Sequence, residues 1–158
     1  MGMDIHGWVE VRRHPSAVWT AVIVLGALVG RNGSLTAWLF RDAGTFPPIA
    51  AERGVPPDAS PDVMDELGRL QHLIASGEIH SFTWATWGEI EAIDWDVEPL
   101  TEVRPSVAVY PEMTQTFLRT RQDTLLGSRG WALLFDLARR LAKDYGDDHV
   151  RFVVWFDS

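Results

Sequence analysis

Apolar and polar positions alternate over residues 4 to 12, with Ile5, Gly7, Val9 and Val11 on one side and His6, Trp8, Glu10 and Arg12 on the other. A period of two predicts a β-strand with one face in a core. The pattern returns over residues 149 to 156. Val150, Phe152, Val154 and Phe156 share one side there, and Arg151, Val153 and Trp155 share the other. Because both sides are mostly apolar, this strand is expected to be buried on both faces, in or next to the middle of a sheet.

Helical spacings separate these two strands. Trp131, Leu134, Phe135, Ala138, Leu141, Ala142 and Tyr145 recur at steps of three and four, with Arg139, Arg140, Lys143 and Asp144 between them. This predicts an amphipathic helix over 129 to 145, closed by Gly146 in a left-handed cap. Ser60, Pro61 and Asp62 fit the N-cap and first turn of a second helix over 61 to 76. Its apolar stripe is Val63, Leu67, Leu70 and Ile74, and Gly77 is its stop. Thr86 and Glu89 have the spacing of a capping box, ahead of Ile90 and Ile93. Gly127 and Ser128 read as the end of one helix and the cap of the next. Residues 112 to 126 are ambiguous: Met113, Phe117 and Leu118 favour a helix and the threonines weaken it.

Residues 16 to 30 carry no charge and follow Arg12 and Arg13. A membrane-spanning helix needs about 20 apolar residues, and Asp4 and Glu10 spoil the basic leader of a signal peptide. The expectation is therefore a buried helix over 17 to 29. Residues 42 to 60, with Pro47, Pro48, Gly54, Pro56 and Pro57, sustain neither helix nor ladder and read as an ordered loop. Together the elements predict one α+β domain spanning 1–158. A small sheet includes the N- and C-terminal strands, which are candidate neighbours, and packs against three or more helices near 17 to 29, 61 to 76 and 129 to 145.

Composition supports a soluble globular domain: of 158 residues, 46% are hydrophobic and 23% charged, with 8 Trp and 7 Phe available for a core. The absence of cysteine excludes disulfides, thiolate nucleophiles and cysteine-ligated metals. A net charge of −8 argues against a sequence-independent grip on nucleic acid, which depends on neutralising phosphates. Lys143 is the sole lysine, so arginine supplies the other positive side chains, a bias of the kind a GC-rich genome imposes.

Several stretches carry a resemblance. They are Asp4 to Arg12, Leu28-Val29-Gly30-Arg31, Pro48 to Pro61, His80-Ser81 and Arg151 to Asp157. Together they resemble a protein family of actinobacteria and their bacteriophages that has no assigned activity. The resemblance spans most of the chain and implies a cytoplasmic protein of phage or prophage type. It carries over no catalytic residue. Where many relatives have a second histidine after the His-Ser pair, this chain has Phe82, which weakens a two-histidine ligand set.

Five constellations could carry chemistry. Asp4, His6, Trp8 and Glu10 share one strand face and, with His80, could form a His/carboxylate metal site; ordinary hydrogen bonding is preferred because no His-Glu-x-x-His spacing occurs, and no metal or cofactor is expected. His80 or His6 with Ser81 or Ser128 invites a hydrolase reading, yet Gly127-Ser128-Arg129-Gly130 lacks the spacing of a nucleophile elbow. Gly30 to Ser34 could cradle a phosphate, although a tight turn before Leu35 to Phe40 suits it better. Arg12, Arg13, Arg31, Arg41 and Arg53 could gather into an anion site or make scattered ion pairs. Finally, Glu89, Glu91, Asp94, Asp96, Glu98 and Glu102 surround Trp95 in an acidic segment that could dock on a basic protein partner, with Asp94, Trp95 and Asp96 at its centre, or could simply face water.

Two functional readings follow. The first is an accessory or interaction protein without catalytic activity, bound to a host or sister protein, with self-association also open and with neither nucleic acid nor membrane as partner. The second is an enzyme or binding protein for a small anionic or nucleotide-like molecule, with His6, Glu10, Arg53 and His80 as its pocket. In that reading Arg53, in the proline-rich loop, presents its guanidinium to the ligand; the alternative is that it only ties the loop down. The pocket reading requires the four residues to converge.

Overall fold

Four strands form one antiparallel sheet whose centre is the pair predicted by the two alternating segments. The computed structural model describes residues 4–29, 39–40, 48–96, 121–126 and 128–157. In chain order, strand β1 is Asp4–Val11, β2 is Thr20–Val24, β3 is Ile79–Thr86 and β4 is Val150–Asp157. Among the described residues the helices are α1 (Pro61–Arg69), α2 (Gln71–Ser76), α3 (Trp87–Glu91), α4 (Arg121–Leu126) and α5 (Arg129–Tyr145). Strand order is β2-β1-β4-β3, so β1 and β4 are central neighbours, in register from Asp4 opposite Asp157 to Val11 opposite Val150. The α+β class is as expected.

The uncharged segment departs from expectation. Residues 17 to 29 form no α-helix; they contain β2, paired with β1, and a single 3-10 turn, Leu25–Ala27. Val18, Thr20, Val22, Ile23 and Val24 are β-branched and lose side-chain freedom in a helix, whereas a pleated strand accommodates them. Length and lack of charge do not distinguish the two outcomes; β-branching does.

Both faces of the sheet are covered. Val9, Val11, Phe152, Val154, Phe156 and Ala85 pack with α3 and α5 around Phe135. That ring lies edge-on to Trp87, Trp95 and Trp131 at centroid distances of 5.5, 5.5 and 5.9 Å. On the opposite face Val153 and Trp155 meet Val63 and Leu67 of α1, with Trp8, Phe82 and Trp84 partly buried beside them. The indole N–H of Trp8 donates to the Glu66 carboxylate of α1.

Local signals mostly hold. Ser60 caps α1 by accepting from Val63 N at 3.4 Å, and Pro61 opens it. The capping box of Thr86 and Glu89 is complete, and Gly77 ends α2 in the left-handed region. Three corrections follow. The helix expected over 61 to 76 divides at Leu70, whose N–H is shared between the carbonyls of Glu66 and Leu67. Gly146 ends α5 with φ 99 and ψ 151, outside the left-handed region, because the chain leaves directly into the 3-10 turn Asp147–His149. Ser128 stands at the N-cap of α5, yet its side chain makes no capping bond.

Two close approaches demand glycine. Gly7 has φ +139, and a Cβ there would lie 2.0 Å from the Val153 carbonyl oxygen of β4. At Gly130, in the first turn of α5, a Cβ would lie 2.1 Å from the carbonyl oxygen of Leu28. The segment after β2 therefore docks backbone-first on α5.

Several sequence expectations lie outside the described residues: the turn at Gly30 to Ser34, Arg31, Arg41, Pro47, Glu98, Glu102, residues 112 to 120 and Gly127.

Candidate functional site

The register of β1 against β4 sets Glu10 opposite Arg151. Both side chains point to the α1 face and both are buried, at 0% and 3% exposure. Arg151 Nε donates to Glu10 Oε2 at 2.6 Å, and the other carboxylate oxygen accepts from Ser60 N at 2.7 Å. A buried ion pair survives desolvation only when its remaining polar atoms are also satisfied. The proline-rich loop completes that requirement: Arg151 Nη1 donates to Asp58 Oδ1 at 2.8 Å and Nη2 to the Asp58 carbonyl at 3.1 Å. Asp58 Oδ2 in turn accepts from the Trp19 indole at 3.0 Å.

Aromatic rings extend this network into a ladder of alternating guanidinium and indole groups. Arg12 and Arg151 lie 4.5 and 3.9 Å from the Trp19 ring centre. Arg151 and Arg53 lie 5.7 and 4.9 Å from that of Trp84. Each such contact favours the cation over the ring face. Burial works to raise the Asp58 carboxyl, but the hydrogen bond and charge of Arg151, with the Trp19 N–H, outweigh it and hold the group below its ordinary 3.8. Glu89 is held below 4.5, chiefly by its hydrogen bond to Arg53.

The residues singled out in the sequence do not meet. His6 lies opposite Trp155 on the α1 face, with Nε2 2.9 Å from Asp157 Oδ2. His80 lies opposite Phe156, whose side chain enters the other core. His6 and His80 are thus on opposite faces of the sheet, and Glu10 is enclosed by Arg151 and Ser60. Arg53 is also engaged: Nη1 and Nη2 donate to the two Glu89 oxygens at 2.9 and 2.8 Å, and Nη1 to the Trp84 carbonyl at 3.2 Å. It ties the loop down. The four residues form no common pocket.

Other candidates resolve in the same geometric terms. His80 Nδ1 and Ser81 Oγ are 2.9 Å apart, but they are neighbours in a bulge where Ser81 takes φ 56, and no group among the described residues orients the other ring nitrogen. Trp95 is partly buried against Phe135 and donates to the Ile90 carbonyl at 3.1 Å, so it is a core residue more than an anchor. Asp94 and Asp96 are exposed beside it. Among the described residues no group of three or more metal-ligating side chains comes together, and no helix is long and apolar enough to cross a membrane.

The two edges of the sheet differ. The loop seals the β3 edge. Gly54 N donates to the Phe82 carbonyl at 2.9 Å, Arg53 N donates to Thr83 Oγ1 at 3.3 Å, and the Thr83 hydroxyl donates to the Ala50 carbonyl. Among the described residues, no backbone hydrogen bond reaches β2 from its outer side. Val18, Val22 and Val24 are 74%, 43% and 38% exposed along it. A shallow groove of about 250 Å³ beside this edge is lined by Val18, Val22, Tyr145, Arg12 and Arg13. The sequence did not reveal this surface, because the segment reads as a helix there; the β-branched run was the available signal.

Models of known families, curated proteins and solved structures were all compared with the chain, and none matches it.

Proposed function

We propose that the protein is an interaction module without catalytic activity, which takes an extended segment of a partner protein onto the outer edge of β2. The observation that carries this reading is the contrast between the two sheet edges: β3 is closed by its own loop, while β2 has, among the described residues, no backbone partner on its outer side, with exposed valines along it. An apolar open edge is a template for strand addition, and proteins that do not use such an edge blunt it with lysine, proline or a covering segment. β2 has neither lysine nor proline. The Arg151 network supports the reading by fixing the far side of the loop and leaving its ionic groups already paired. The sequence resemblance adds a cytoplasmic accessory protein of phage or prophage type as the setting.

The test is selection of random peptides displayed against the wild-type protein and against Val22→Lys. Enriched peptides with alternating apolar residues that lose binding to Val22→Lys, while its far-ultraviolet circular dichroism is unchanged, are the expected result. Peptides that bind both proteins equally, or no enrichment, would overturn the proposal.

A further inference from the structure

The charges around the open edge define its partner more closely, an inference that rests on the edge-docking reading above. The chain has a net charge of −8, yet residues 12 to 29 contain no acidic side chain and two arginines. Arg12 and Arg13 line the same groove as Val18 and Val22. Arg12 is weakly compensated in charge: its Nη1 donates to the neutral Pro15 carbonyl at 3.1 Å and lies 4.0 Å from Asp58, a carboxylate already bonded to Arg151. Its Nε is buried without a hydrogen-bond partner among the described residues. Arg13 is exposed and has no ion-pair partner among the described residues. Arg12 and Arg151 share the two carboxylates of Glu10 and Asp58, and Arg13 stands outside that network.

Direction follows from register. Val11 pairs with Thr20, so the two arginines stand at the Thr20 end of β2. Every pairing in this sheet is antiparallel. A strand added in the same sense runs from the Val24 end toward the Thr20 end, which brings its C-terminal end beside Arg12 and Arg13. We infer that the β2 edge binds an extended partner segment whose apolar residues alternate and whose C-terminal end carries aspartate or glutamate side chains. A second copy of this chain is the competing occupant. Two-fold pairing of β2 with itself would place each arginine pair at the Val24 end of the other copy, near Trp8 and the Glu66 carboxylate to which its indole donates. Sedimentation separates the two.

The probes are acetylated, amidated peptides of alternating valine and threonine, so that no terminal carboxylate contributes. One carries two glutamates at its C-terminal end, a second carries them at its N-terminal end, and a third has two lysines at its C-terminal end. Fluorescence anisotropy should show the first binding about tenfold tighter than the third. The preference should shrink between about 50 mM and about 300 mM salt and reverse in Arg13→Glu. Equal binding of all three peptides, lost in Val22→Lys, would overturn this inference and leave edge docking intact. Binding that survives Val22→Lys, or no binding at all, would overturn both. A dimer by sedimentation that dissociates in Val22→Lys would make a second copy the occupant and overturn the acidic partner.

Discussion

Glu10 and Arg151 face each other across the two central strands, 141 residues apart in sequence, and are joined by a 2.6 Å hydrogen bond that solvent does not reach. The pair holds β1, β4 and the proline-rich loop at one point, since Ser60 and Asp58 bond to the same two side chains. Removing one member leaves the other buried and charged. Arg151→Met should therefore cost about 3 to 5 kcal/mol in urea unfolding, well above the effect of Arg140→Met on the exposed face of α5.

Acid should weaken the same region. A carboxyl whose folded pKa lies below its unfolded value stabilises fully above the unfolded value, and the contribution is lost as pH falls through the folded one. Asp58 and Glu89 are both lowered, from 3.8 and 4.5. Stability should thus decline as pH drops below about 4.5, and Glu89→Gln should flatten the upper part of that decline. Thermal melts at a series of pH values measure this.

Gly7 should tolerate no side chain. Alanine there adopts an unfavourable φ and meets the Val153 carbonyl, so Gly7→Ala should lose more than about 2 kcal/mol, with the β1 and β4 amides losing hydrogen-exchange protection first.

Phe135→Ala should remove the ring around which three tryptophans pack. A loss of about 3 to 5 kcal/mol is expected, with collapse of the near-ultraviolet circular dichroism arising from Trp87, Trp95 and Trp131. A signal close to wild type would show that the indoles are ordered without it.

Val22→Lys should change stability by no more than about 0.5 kcal/mol, as exposed substitutions do. That makes it a clean probe of the open edge.

The elements with a strong period were legible in the sequence. Alternation identified β1 and β4, including the burial of β4 on both faces; spacing identified α5, and spacing with the Ser60 cap identified α1. A run of apolar residues has no period, so 17 to 29 gave a helix where β-branching favoured a strand. The ionic network was half visible. Arg151 fell on a strand buried on both faces and needed a counter-charge, and Glu10 lay on the other terminal strand. Asp58 and Trp19 were not legible, because a loop's approach to a sheet leaves no periodic trace. Arg53 had two readings in sequence, which the position of Glu89 on α3 decides. The histidines misled for a related reason: composition brings His6 and His80 together, and strand parity separates them.

The order β2-β1-β4-β3 also has a meaning in time. During synthesis three strands leave the ribosome before the one that belongs at the middle, so β1 and β3 must wait with no neighbour between them. The hairpin of β1 and β2 is local and can form early, whereas its junction with β4 requires closing a loop that spans most of the chain. Until β4 emerges, Glu10 stays hydrated, the tryptophans of both cores have no shared floor, and the nascent chain exposes the inner edges of β1 and β3 in addition to the outer edge of β2. Folding of this domain is thus expected to be a late, abrupt event rather than a gradual one, and the interval before it is when the chain most needs protection from its own kind.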